Sequence, residues 1–93
     1  MRKRETLTRT FTLLNKLGMH ARPASLLAQL AGKFRSDITV HKGSRAVSGK
    51  SILGLLTLDA AQGTSLTIEA SGEDAAEALN ALDRLFIEKF DEE

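Results

Sequence analysis

The chain has 93 residues, 42% of them hydrophobic and 27% charged, with a formal net charge of +1. That length supports one domain with a modest core and leaves no room for a nucleotide-binding fold beside a substrate domain. The near-zero charge points to no polyanionic partner, and zero Cys excludes disulfides, thiolate catalysis and thiolate metal ligands. No apolar run approaches the roughly 20 residues that span a bilayer, so no membrane insertion is expected. The start, Met1-Arg2-Lys3-Arg4-Glu5, is basic, but no apolar stretch with a cleavage site follows it. These features predict a single cytoplasmic domain over residues 1–93, with residues 1–5 as a flexible, solvated segment. The basic start lacks the aromatic neighbours that stack on bases, so no nucleic-acid partner is expected.

From Thr6 to Leu13, Leu7, Phe11 and Leu13 alternate with Thr residues, the period of a half-buried strand. Asn15-Lys16-Leu17-Gly18 breaks the pattern. From Ala21 to Phe34, Leu26, Leu27, Leu30, Ala31 and Phe34 recur at helical spacing. Ile38 and Val40 mark a short strand, Lys42-Gly43-Ser44 a hairpin turn, and Arg45 to Ser48 the return strand. Ser51 to Leu58 reads as a short helix with Ser51 as its N-cap. Its five apolar residues cannot all face inward: Leu55 and Leu58 are assigned to the core, and Ile52, Leu53 and Leu56 to an exposed apolar patch of the kind that marks partner sites. Gln62-Gly63-Thr64 is a turn, and Leu66, Ile68 and Ala70 form a fourth strand. A last helix runs from about Glu73 to Lys89 on a stripe of Ala75, Leu79, Leu82, Leu85 and Phe86, with Ser71 and Asp74 spaced as a capping box. The order βαββαβα predicts an α+β fold: a four-stranded, mainly antiparallel sheet covered on one face by helices, its other face polar.

The chemistry concentrates at Gly18-Met19-His20-Ala21-Arg22-Pro23-Ala24, where strand hands over to helix. A helix N-terminus offers unpaired N–H groups and a partial positive charge, a natural seat for phosphate. Gly18 permits a positive φ, and Pro23 fits the first helical turn, where its missing N–H costs nothing. His20 falls at or just before the N-cap. Its imidazole can attack phosphorus without a general base. Arg22 can pair with the phosphoryl oxygens through its planar fork. Gly18, Ala21, Arg22 and Pro23 form the predicted cradle, and the reading is a small protein carrying a phosphoryl group on His20. His41, beside Lys42, is read as a surface residue, and two distant His residues without Cys give no metal site. Gly49-Lys50-Ser51 is no P-loop, because the Walker A spacing requires Gly at position 44, where Ser44 stands.

The Gly18–Ala24 segment resembles the active-site signature of HPr, the histidine-containing phosphocarrier of the bacterial phosphoenolpyruvate-dependent sugar phosphotransferase system. Gly49-Lys50-Ser51-Ile52-Leu53-Gly54-Leu55 resembles that family's serine-site signature. The His20–Ser51 spacing, the Gln62-Gly63-Thr64 turn and the entry to the last helix agree with it, over Thr6 to Phe90. One departure is mild: Met19 stands where Leu is common.

The resemblance implies an open-faced β-sandwich with sheet order 1-4-2-3. It implies a stoichiometric carrier, not an enzyme, monomeric and without a cofactor. His20 would accept phosphate at Nδ1 from phosphorylated enzyme I and pass it to IIA proteins or domains. Arg22 would stabilise the phosphorylated ring, and Ser51 would be open to phosphorylation by an HPr kinase/phosphorylase. Met19, Ile52, Leu53 and Leu56 would dock partners. Two alternatives stand beside this reading: a nitrogen-branch or purely regulatory relative, and an interaction module in which His20 is chemically silent.

Overall fold

Alternation of Thr with Leu7 and Phe11 makes Glu5–Thr12 the first strand, β1, in a computed structural model that describes residues 5–92. Helix α1 spans Ala21–Ala31, and strands β2 (Asp37–Lys42) and β3 (Arg45–Ser48) form a hairpin. Helix α2 is a short element, Ile52–Leu56. Strand β4 (Ser65–Gly72) and helix α3 (Ala75–Ile87) complete the order βαββαβα. All pairings are antiparallel, and the sheet runs β1-β4-β2-β3. The register sets Phe11 opposite Leu66 and Val40 opposite Ile68, so the inward residues of three strands share one face.

That face carries the core. Phe11, Ile38, Val40, Leu66, Ile68 and Ala70 are buried beneath Ala24, Leu27, Ala28 and Ala31 of α1 and Ala75, Ala78, Leu79, Leu82 and Phe86 of α3. A fully buried Leu or Ile contributes about 1.5–3 kcal/mol through removal from water. The opposite face of the sheet is polar: Thr6 and Ser71 hydroxyls meet at 3.0 Å, and those of Thr10 and Thr67 at 3.3 Å. In α2, Leu55 is buried while Ile52, Leu53 and Leu56 are exposed, and Leu58 is buried just beyond the helix.

The structure departs from the sequence reading at the start of β1, at the end of α1 and at the entry to α3. The segment expected to be flexible, residues 1–5, lies outside the described residues up to Arg4, but Glu5 is already paired with Gly72 in β1. Helix α1 stops at Ala31, ahead of Phe34: the Gly32 amide makes the last i→i−4 bond, to Ala28, and the Lys33 and Phe34 amides tighten onto the carbonyls three residues back, Leu30 and Ala31. The capping box does not form. Ser71 lies inside β4, and the N-cap of α3 is Asp74, whose side chain makes no bond to its own helix. Instead its carboxylate reaches across to the α1–β2 connection, accepting the Arg35 amide at 2.8 Å, the Ser36 amide at 2.9 Å and the Ser36 hydroxyl at 2.6 Å.

Candidate active site

The segment between β1 and α1 is built to present His20. The Gly18 amide closes a turn on the Asn15 carbonyl at 3.2 Å, and Gly18 itself takes φ +66°. Next, the Met19 amide bonds to the Ala60 carbonyl at 2.8 Å, which moors the loop to the chain beyond α2. His20 is the N-cap of α1, extended at φ −94° and ψ −168°, and its carbonyl accepts the first helical bond from Ala24. The amides of Ala21 and Arg22 therefore have no partner within the helix, and Pro23 has none to offer. The imidazole is about one-third exposed, at 35%.

The ring is held from its far side. Nε2 of His20 lies 2.9 Å from each carboxylate oxygen of Glu92. A carboxylate only accepts, so in the neutral ring the proton sits on Nε2, and Nδ1 keeps its lone pair. No partner meets Nδ1 among the described residues. Buried Asn15 completes the arrangement: its Nδ2 donates to the Gly18 carbonyl at 2.8 Å and to Glu92 Oε1 at 3.0 Å. The Glu92 carboxyl is held below its ordinary value, chiefly by the hydrogen bond from His20, then by the bond from Asn15 and the charges of His20 and Arg22; desolvation opposes them.

Glu92 arrives on an unusual strap. Lys89, Phe90 and Asp91 follow α3 with φ of +56°, +54° and +58°, a left-handed turn. Phe90 is buried and packs edge-on against Phe86, ring centroids 5.0 Å apart, and Phe86 stacks on Phe11 at 4.7 Å. Neither Asn15 nor Glu92 was singled out by sequence reasoning. Asn15 reads as an ordinary turn residue, and Glu92 lies 72 positions from His20 in an acidic run without local pattern.

Of the predicted cradle, Gly18 and Pro23 are buried, and Ala21 and Arg22 are exposed at the helix start. Met19 does not lie on the surface. It is 4% exposed and part of the core, because its amide bond to Ala60 and the left-handed Gly18 turn its side chain inward. Leu17, two residues earlier, is 72% exposed instead. Ser51 caps α2, accepting the Gly54 amide at 2.9 Å. His41 sits on the open face of the sheet, its Nε2 3.3 Å from Glu69. Among the described residues, no group of three His, Asp or Glu side chains could hold a metal, and no helix is long and apolar enough to cross a membrane.

The family model for the PTS HPr component phosphorylation site matches residues 7–88. The chain belongs to the HPr family of phosphocarrier proteins. It is 45% identical to phosphocarrier protein NPr of Shewanella violacea, over 92% of this chain and 94% of that one. It is 43% identical to phosphocarrier protein HPr of Cupriavidus necator, over 92% of this chain and 97% of that one. A crystal structure of HPr from Thermoanaerobacter tengcongensis superposes with a TM-score of 0.89 at 44% identity, covering 94% of this chain and 98% of the other. The open-faced sheet in the order β1-β4-β2-β3 is the HPr fold, so the loop that carries His20 stands on an HPr scaffold.

Proposed function

We propose that this chain accepts a phosphoryl group on His20 from phosphorylated enzyme I, charged in turn by phosphoenolpyruvate, and passes it to IIA proteins or domains that serve sugar uptake. One observation carries the reading: His20 is the N-cap of an eleven-residue helix, with Nε2 occupied by Glu92 and Nδ1 left as the ring's lone pair. Nδ1 attacks phosphorus, the new N–P bond forms as the donor's bond to phosphorus breaks, and the departing electron pair stays with the donor. Charge in a loose phosphoryl transition state spreads over the equatorial oxygens. The amides of Ala21 and Arg22, the positive end of α1 and the Arg22 guanidinium supply compensating charge there. Onward transfer is the same step reversed onto an acceptor. The protein acts as a stoichiometric carrier, and a cytoplasmic location fits such a relay.

Exposed Ile52, Leu53 and Leu56 offer a docking surface beside α1, on which α2 packs. Ser51 opens that helix, so phosphorylation by an HPr kinase/phosphorylase would place negative charge against the same surface. The relatives carry both names, HPr and NPr, and this supports a second reading in the same fold: a nitrogen-branch or regulatory relay in which phospho-His20 signals.

The test is incubation with enzyme I and labelled phosphoenolpyruvate. Acid-labile, alkali-stable label on the wild type and none on His20→Ala is the expected result. Label that still arrives on His20→Ala and still moves to a IIA acceptor sinks the reading. No label at all in an active coupling mixture leaves a binding module working through Ile52, Leu53 and Leu56.

A further inference from the structure

We propose that Glu92, held by Asn15 and anchored through Phe90, is a positioning residue for His20 that selects Nδ1 as the phosphoryl acceptor and offsets the charge that transfer leaves on the ring. The inference rests on the phosphocarrier reading above and gives a role to the Glu92 contact that reading starts from.

The geometry is that of a carboxylate orienting a reactive imidazole. Both oxygens of Glu92 stand 2.9 Å from Nε2, and its side chain is 14% exposed, so this is no solvent-swept surface pair. Asn15 is fully buried and spends its amide donors on the Gly18 carbonyl and on Glu92, which ties the carboxylate to the turn that aims His20. Its Oδ1 has no partner among the described residues, an uncompensated buried acceptor. A buried acceptor left unpaired is unfavourable, so this amide is placed for its donors.

The backbone tells the same story. Lys89, Phe90 and Asp91 all occupy the left-handed region, which side-chain-bearing residues adopt only at a cost. Strain of that kind persists only where the surroundings impose it, and it gathers at functional sites. Here burial of the Phe90 ring against Phe86 imposes it, and the consequence is delivery of Glu92 to the ring.

The chemistry needs such a group. A neutral imidazole with its proton on Nε2 attacks through Nδ1. The product then has phosphorus on Nδ1 and hydrogen on Nε2, and its ring bears a positive charge. The Glu92 carboxylate compensates that charge and keeps the proton in place, so the ring remains a good leaving group for the next transfer. The logic matches the buried carboxylate of a hydrolase triad, which fixes the imidazole tautomer and stabilises the cation that forms.

Two measurements on wild type, Glu92→Ala and Glu92→Gln test the proposal. The first is ring 15N NMR of the free proteins at about pH 9, where imidazole is neutral. The second is the rapid-quench rate of phosphoryl acceptance from phosphorylated enzyme I. The wild type is expected as the Nε2–H tautomer. Glu92→Ala should give a tautomer mixture and transfer roughly ten- to a hundredfold more slowly, the usual cost of losing such an orienting partner. Glu92→Gln still offers an acceptor to Nε2–H, so it should keep the tautomer yet lose rate, which a merely structural role would not produce. Unchanged thermal midpoints show that the variants fold. A labelled wild type whose tautomer or rate is matched by Glu92→Ala overturns this inference alone. A wild type that takes no label overturns the phosphocarrier reading and this inference with it.

Discussion

Gly18 and Ala60 stand closer than a side chain would allow: a Cβ on Gly18 would lie 2.3 Å from the Ala60 carbonyl oxygen and 2.9 Å from Ala61 Cα. The same carbonyl accepts the Met19 amide, so this close approach is what clamps the His20 loop to the chain beyond α2. Gly18 also takes φ +66°, which L side chains rarely adopt.

Gly18→Ala therefore suffers twice, from a left-handed alanine and from a backbone clash that no rotamer relieves. The expected loss is roughly 2–5 kcal/mol, the sum of the left-handed cost and ordinary overpacking. At about 4–8 °C per kcal/mol for a domain of this size, the thermal midpoint should fall by roughly 8 °C or more. Phosphoryl acceptance by the folded fraction should fall too, because His20 moves with the loop. A variant within about 2 °C of the wild type would show that the clamp is not needed.

Much of this was legible in the sequence. Thr alternation marked β1, helical spacing marked α1 and α3, and Gly18 and Pro23 marked the handover at His20. What stayed hidden depends on contacts between distant segments. The resemblance put Met19 on the docking surface, but the amide bond to Ala60 accompanies its burial. Ser71 and Asp74 have capping-box spacing, yet β4 claims Ser71 through Gly72, and Asp74 finds three donors at Arg35 and Ser36. Glu92 could not be read at all: the left-handed turn at Lys89–Asp91 has no Gly to announce it, and its Phe90 seat on Phe86 and the Glu92 bonds to Asn15 and His20 are tertiary contacts.

Ser51 separates a structural role from a charge effect. Its hydroxyl accepts the Gly54 amide in a helix of only five residues, so Ser51→Ala should cost about 0.5–2 kcal/mol in urea unfolding. Asp is an equally good N-cap, so Ser51→Asp should keep stability while placing negative charge beside exposed Ile52 and Leu53. Slower transfer from enzyme I in Ser51→Asp but not in Ser51→Ala supports docking at α2; equal slowing in both would assign the effect to the cap.

Asp74 predicts an acid-sensitive brace. Its carboxyl lies below the ordinary value, first because of the Ser36 hydroxyl and next because of the Arg35 amide, with burial opposing. A carboxylate depressed in the folded state stabilises fully above its unfolded value, about 3.9, and loses that contribution as pH falls through the lower folded value. Asp74→Asn turns an amide NH2 toward donors and removes the charge. The stability gap between wild type and Asp74→Asn should therefore be constant at neutral pH and narrow below about pH 4. Chemical denaturation across that window checks it, and a gap that widens on acidification would contradict the hydrogen-bond account.

Leu53 decides whether the apolar patch on α2 is a docking surface. It is 76% exposed, so Leu53→Glu removes little from the core and should change stability by no more than about 0.5 kcal/mol. Docking residues that matter cost more than about 1 kcal/mol on replacement, a factor of roughly five in kcat/KM for transfer. The loss should sit in KM, because Leu53 belongs to α2 and not to the His20 loop, and saturating enzyme I should restore full labelling of His20. Thr8→Glu, on the open face of the sheet, is the matched control and should leave transfer unchanged. Wild-type kcat/KM in Leu53→Glu, or an equal loss in Thr8→Glu, would remove α2 from the partner surface and leave the segment around exposed Leu17 and the start of α1 to carry recognition.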